Sequence, residues 1–410
     1  MSELVDLRRR FHQIPEVGLH LPQTQALVLE SLEGLPLEIT LGTDVSSVVA
    51  VLRGGATPRR SPGAPDRASA APDAEPHADA TPDHPVVLLR ADMDALPVDE
   101  DTGLDFASTN GAMHACGHDL HMTILIGALR ELCARRDELA GDVVAMFQPG
   151  EELLDGAGHM LREGVLEAAG ARPSHAYALH VWAGLEPAGT FTTKPGTTMA
   201  SHDFVHVRFT GQGGHGSAPH KAIDPVPALA ELVTASHAMV TRQFDVFDPV
   251  VLTIGTLSAG RSANVIPESA ELEASIRAFS PASRERVLER FARLARGIAD
   301  AHGLDVELDN PLAYPVTVND DAETAYVADT ITRALGPDRH VRWEQSLTSS
   351  EDFSRVLEAV PGCFFGLGAC PPDLDPATAP FNHSARARFD DAVLNDGVRV
   401  FTELALGRLR

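Results

Sequence analysis

Lysine is nearly missing from this chain. Lys194 and Lys221 are the only two in 410 residues, and 33 basic side chains face 58 acidic ones, for a formal net charge of −25. A surface of that sign repels a phosphate backbone, so nucleic acid is not an expected partner. Long apolar runs are missing too. None approaches the roughly 20 residues that cross a bilayer, so no membrane partner is expected. Cysteine is sparse: Cys116, Cys133, Cys363 and Cys370 are spread through a long chain without a secretory signal, so no disulfide framework is expected. The opening MSELVDLRRRFHQIPE lacks a signal peptide's order of basic, apolar and small residues and alternates apolar with charged residues at helical spacing. It is expected to be mature, folded and cytoplasmic.

What is present is ordinary in bulk, with 44% apolar and 22% charged residues. The length exceeds what one hydrophobic core usually supports, so two or three domains are expected. One stretch stands out. MHACGHDLH, from Met113 to His121, puts a thiol, three imidazoles and a carboxylate into nine residues, then opens into an apolar run with helical character. Cys116 and His118 are two positions apart, a spacing that lets both heads converge on one cation, while a helix starting near Asp119 holds them rigid.

Around that stretch the chain alternates strands and helices. Helical spacing covers residues 2 to 33, broken near Pro22, and VSSVVAVLRG is a strand. From about Gly54 to Pro85 the chain is rich in Pro, Ala, Asp and Arg with few large apolar side chains, which reads as a flexible surface insertion. VVLLR then forms a strand suited to burial on both faces, with Asp92 and Asp94 just past its carboxyl end. The run from Asp142 to Phe147 repeats the pattern and delivers Glu151 and Glu152, and HAYALHVW does so again, placing His180 at or near a strand end. Ligands of open α/β sheets gather along that edge. The fold class is therefore an α/β domain, a mixed sheet flanked by helices with a metal site at its strand ends, covering residues 1–196 and 310–410. Residues 197–309 change texture: alternating strands, the glycine-rich GQGGHGSAPHKAIDP and two helices form an inserted α+β domain.

A hydrolytic metal centre needs ligands that leave a position open and a base to take a proton from the attacking water. Cys116, His118, one glutamate of the 151/152 pair, His180 and His383 supply five ligands. Five suit two ions better than one tetrahedral ion, with the Cys116 thiolate placed to bridge, and the glutamate left over can serve as the base. His215, in the glycine-rich loop, is a candidate donor to an oxyanion. His220 beside it is assigned a structural role. Asn264 and Arg277 are candidates to hold a substrate carboxylate, because an amide and a guanidinium fork suit that anion.

RADMDALP, HACGHDLH, FQPGEE, ALHVW, GGHGSAPH, NVIP, SSEDF and NHSARARFDD, in this order, resemble the metal-dependent amidohydrolases of the aminoacylase and carboxypeptidase superfamily. The subgroup is that of hippurate hydrolases, N-acyl-amino-acid amidohydrolases and auxin-conjugate hydrolases. The resemblance implies hydrolysis of the amide bond of an N-acyl amino acid, with a dipeptidase or carboxypeptidase as the alternative. It implies two divalent metal ions per subunit, zinc or manganese, with cobalt and nickel as further candidates. Their ligands would be Cys116, His118, Glu152, His180 and His383, with Glu151 as the base and Asp94 orienting a ligand imidazole. The inserted domain would be a lid and dimerisation surface in a homodimer or higher homo-oligomer, with His215 reaching an active site, that of the partner subunit. Leu120 and Gly150 depart from the family's usual small residue and alanine. A Cys116 nucleophile with His118 as its base, and an acidic binding protein without catalysis, are the rival readings from other classes.

Overall fold

The computed structural model describes residues 2–56, 84–152 and 154–410. The insertion expected at 54–85 lies outside the described residues over 57–83. The chain separates into two compact units.

The first unit comprises Met1–Gly196, Asn319–Glu344 and Val356–Arg410. Its described residues build an eight-stranded mixed sheet in the order Leu37–Leu41, Val48–Leu52, Asp142–Gln148, Val86–Asp92, His175–Pro187, Gly362–Cys370, Phe191–Thr193 and His340–Arg342. Four central strands, from Asp142–Gln148 to Gly362–Cys370, run parallel. VVLLRAD and DVVAMFQ are buried at every position, as expected of parallel strands covered by helices on both faces. Helix His118–Ala134 packs against Leu394–Leu409 and Ser2–His12, and Leu120, Ile124, Leu125 and Leu129 join the sheet's core from it. Leu120, one of the two departures from the family pattern, is thus a fully buried core residue.

The second unit comprises Thr197–Val318 and Gln345–Arg355. Its antiparallel sheet runs in the order Val250–Ala259, Ser269–Ala278, His202–Thr210 and Asp305–Tyr314. Burial alternates along Ser269–Ala278, the signature of a sheet packed on one face. Helices Pro225–Gln243 and Pro281–His302 supply Leu229, Leu232, Val287 and Phe291 to that core.

The expected return to the first domain at residue 310 falls inside strand Asp305–Tyr314, which pairs with His202–Thr210 and belongs to the second sheet. Pro311 masks the strand in the sequence. The register shifts between Asp309 and Leu312, and the strand lies at the sheet edge, the two circumstances in which proline is tolerated. Gln345–Arg355 also groups with the second unit, against the expected boundary.

Candidate metal centre

The parallel strands share one carboxyl rim, and the chain turns there twice with little freedom. Val86–Asp92 leads into Asp94, and Asp142–Gln148 leads through Pro149 into Gly150, whose φ of +71° only glycine adopts readily. The turn presents two successive amides: Glu151 N–H donates to one oxygen of Asp94 and Glu152 N–H to the other, each at 3.0 Å. The resemblance implied that Asp94 orients a ligand imidazole, and Asp94 does contact His118, its Oδ1 lying 3.7 Å from His118 Nδ1. The Asp94 carboxylate fixes the Glu151–Glu152 backbone, while its main-chain carbonyl accepts from His118 Nδ1 at 2.7 Å.

Gly117 links Cys116 to His118 at the start of helix His118–Ala134, with φ +87°. A Cβ there would lie 2.3 Å from Val181 Cγ2, so both conformation and space demand glycine. Cys116 Sγ is 3.4 Å from His180 Nε2 and 3.3 Å from His383 Nε2. His383 adopts a left-handed backbone with φ +73°, held by its N–H donating to Ala115 O at 2.9 Å. Its Nε2 also lies 3.0 Å from Glu152 Oε1.

His180 is not at a strand end. It lies within the 13-residue strand His175–Pro187, but the neighbouring strand's pairing stops at Arg90 opposite Ala178, so His180 stands just past the edge of that ladder. The Trp182 ring stacks on it, centroids 4.3 Å apart. Its Nδ1–H donates to Val181 O at 2.9 Å. A carbonyl only accepts, so the lone pair of His180 is on Nε2, towards Cys116. His118 Nδ1 likewise donates to Asp94 O, and its buried Nε2, without a hydrogen-bond partner among the described residues, lies 3.6 Å from Asp92 Oδ2.

The electrostatics ask for positive charge. Burial pushes the His118 proton affinity down, yet Asp92, Asp94 and Cys116 outweigh it and lift the imidazole well above its ordinary range. Cys116 and Glu152 push His383 up to about 10. Burial, reinforced by His121, keeps His180 neutral, as a metal ligand must be. Glu152 is held below the usual carboxylate range, because His383, His118 and Cys116 overcome the effect of burial.

These donors fit metal ions. Ligand atoms of Cys116, His118 and His180 lie within 4.8 Å of one another, and so do those of Cys116, Glu152 and His383. Two triads sharing one sulfur, with nitrogen, sulfur and oxygen donors, suit borderline divalent cations. Glu151 is buried, and its carboxylate meets the same 4.8 Å condition with His118 and Glu152.

Several residues at the site were not assigned from the sequence. Asn382 donates from Nδ2 to Cys116 O at 3.2 Å and Val181 O at 3.0 Å, and its Oδ1 accepts from Ala183 N–H at 2.9 Å, which ties the loop of His383 to that of Cys116 and to strand His175–Pro187. Its adjacency to His383 was the available signal. Asp119, fully buried, receives Arg8 Nε at 2.8 Å and His12 Nδ1 at 2.7 Å, and thereby anchors the amino-terminal helix to the metal helix. Burial and this ion pairing were invisible in the local sequence.

The second unit carries the three remaining candidates. His215 is exposed and pairs with Val265 in a short ribbon, where Asn264 O accepts from Gly216 N–H at 2.8 Å. Ser217 N–H approaches His215 Nδ1 at 3.2 Å and Ser217 Oγ lies 2.8 Å from it. An amide only donates, so Nδ1 accepts and the proton is on Nε2, leaving an N–H available to a ligand. Asn264 Oδ1 accepts from Ser262 Oγ at 2.6 Å. Arg277 donates to Thr348 O at 2.8 Å and has no acidic partner among the described residues. Its half-buried charge, 3.4 Å from His202 Nδ1, helps burial push that imidazole down to about 4.

Among the described residues, no helix is long and apolar enough to cross a membrane. The family described as Peptidase family M20/M25/M40 matches residues 88–407. The chain is 35% identical to an N-acetyldiaminopimelate deacetylase of Shouchella clausii, over 91% of each chain. It is 32% identical to thermostable carboxypeptidase 1 of Saccharolobus solfataricus, covering 98% of this chain and 94% of that one. A crystal structure described as a dinuclear metal-binding peptidase of the M20 family, from Bacillus subtilis, superposes with a TM-score of 0.77 at 30% identity, over 100% of this chain and 98% of the other.

Proposed function

The chain belongs to peptidase family M20/M25/M40, metal-dependent hydrolases of amide bonds, and on that premise we propose that it cleaves N-acyl amino acids, hippurate-like conjugates among them, to a carboxylic acid and an amino acid. The observation that carries the reading is the pair of donor triads sharing Cys116, with the buried Glu151 beside them. Two divalent ions, zinc or manganese, with cobalt and nickel as further candidates, would be held by Cys116, His118, Glu152, His180 and His383. When bound, such ions polarise an amide carbonyl and make water a better nucleophile near neutral pH.

The chain's own residues account for the rest. Glu151 takes a proton from the attacking water and returns it to the departing amine, while Asp94 keeps its backbone in place. His215, with Nε2–H available, donates to the oxyanion. Arg277, with no acidic partner among the described residues, holds the substrate carboxylate together with Asn264. The second unit serves as lid and dimerisation surface of a homo-oligomer. All four cysteines are free, which suits a reducing cytoplasm, where a metal-binding thiolate survives.

The names of relatives favour one second reading. Similarity to a carboxypeptidase supports hydrolysis of a peptide in place of an N-acyl amino acid. A panel of N-acetyl, N-benzoyl and longer N-acyl amino acids plus dipeptides, assayed with chelator and again after zinc or manganese is restored, separates the two. Release of amino acid fastest from N-acyl substrates, lost with chelator and regained with metal, is the expected result. Faster cleavage of dipeptides would favour the peptidase, and activity untouched by complete metal removal would overturn both.

A further inference from the structure

His121 lies in the same nine-residue stretch as Cys116 and His118, one turn further along the helix, and its ligand atom falls within 4.8 Å of those of Asp92 and His118. Spacing alone makes it a sixth ligand candidate. The hydrogen bonds say otherwise. Val181 N–H donates to His121 Nε2 at 2.8 Å, so that nitrogen has no lone pair to spare and the ring proton is on Nδ1. Nδ1–H donates to Asp92 Oδ1 at 2.5 Å, and the other Asp92 oxygen accepts from Arg90 Nη1 at 2.5 Å. Arg90 in turn donates from Nε to Gln148 Oε1 at 2.9 Å, and all four side chains are buried. Both nitrogens of His121 are therefore committed to the protein.

What His121 holds is the amide following His180. The ladder between Val86–Asp92 and His175–Pro187 ends at Arg90 opposite Ala178, so the Val181 N–H lies past the last paired residue. A buried amide needs an acceptor, and His121 supplies it. That amide belongs to the peptide plane that begins at His180, and the His121 ring lies against the His180 ring, centroids 4.7 Å apart.

We propose that Asp92 and His121 form a positioning pair that presets His180 for metal through the Val181 amide, with His121 itself never a ligand. The proposal rests on the reading of His180 as a ligand. Outer partners of this kind typically change metal affinity by roughly 10- to 100-fold when removed.

Three variants test it: His121→Leu, which removes the acceptor; His121→Gln, whose amide can accept from Val181 and donate to Asp92; and His180→Ala. Zinc stoichiometry and affinity are measured by chelator competition on metal-free protein, whose folding is checked by circular dichroism and cooperative melting. We expect His121→Leu to weaken one of two zinc equivalents by roughly 10- to 100-fold and His121→Gln to restore most of it. Unchanged affinity in folded His121→Leu, or equal loss in both His121 variants, overturns the proposal. If His180→Ala also keeps both equivalents at full affinity, the assignment of His180 as a ligand is what fails. Nitrogen-15 spectra of histidine-labelled wild-type protein decide the matter even if His121→Leu does not fold. The His121 signals should show Nδ1 protonated and Nε2 unprotonated, unchanged by zinc, whereas a zinc-dependent shift at Nε2 would make His121 a ligand.

Discussion

His383 Nε2 stands 3.3 Å from Cys116 Sγ, although the two residues are 267 positions apart in the chain. The contact depends on a left-handed backbone at His383 and on the bond from its N–H to Ala115 O. Such strain persists where surrounding structure holds it, commonly at functional sites.

This contact gives the metal-free protein a proton to release. Cys116 and Glu152 push His383 up to about 10, so at about pH 8 the imidazole is protonated and must lose that proton to bind a cation. Titration of zinc into weakly buffered metal-free protein should release about one proton more from wild type than from His383→Ala at that pH, and the difference should fade above about pH 10. Equal release from both would argue against His383 as a ligand.

Glu151→Gln keeps the shape of the side chain and removes the base. Turnover should fall by at least about 100-fold, with metal content and the melting temperature of the loaded protein nearly unchanged. Retained turnover would take Glu151 out of the proton-transfer role, and lost metal would make it a ligand.

Arg277 is a half-buried charge of the second unit that no carboxylate among the described residues neutralises. Arg277→Gln should lower kcat/KM by roughly 10- to 100-fold for substrates with a free carboxylate, the size of a lost charge-assisted hydrogen bond, and much less for the corresponding amides. Equal losses on both would mean that Arg277 supports structure and not the substrate's carboxylate.

Glu100 ties the metal helix's anchor to the pH of its surroundings. Burial would raise its carboxyl, but His12, Thr102 and the Ser108 amide overcome this and bring it down to about 2. A depressed folded-state value contributes stability that is complete above the unfolded value near 4.5 and is lost as pH falls towards 2. Urea unfolding should show wild type more stable than Glu100→Gln at about pH 7, with the gap narrowing between about pH 5 and pH 3. A gap independent of pH would show that the carboxylate's charge is not what stabilises the fold.

Much of this architecture was legible locally. Unbroken apolar runs marked the parallel strands Val86–Asp92 and Asp142–Gln148. The strand Asp305–Tyr314 was hidden because a proline interrupts its alternation, and only its edge position and shifted register make that proline tolerable. His180 was placed at or near a strand end because the run HAYALHVW ends soon after it, whereas the strand continues to Pro187.

By itself the sequence determined the donor types and their local frames: the thiol and imidazole two apart before a helix, the paired glutamates after a proline-glycine turn, and the glycines that make those turns feasible. It did not determine which atom of each residue faces what. His121 and His118 are the same residue type on one helix, yet the Val181 amide and Asp92 occupy both nitrogens of the first, while Nε2 of the second makes no hydrogen bond among the described residues. Asp94 holds the glutamate backbone with its carboxylate and His118 with its carbonyl. Those choices rest on hydrogen bonds between groups far apart in the chain, and hydrogen bonds are short and directional. Only the tertiary structure, by fixing several strands and a helix against one another, could decide them.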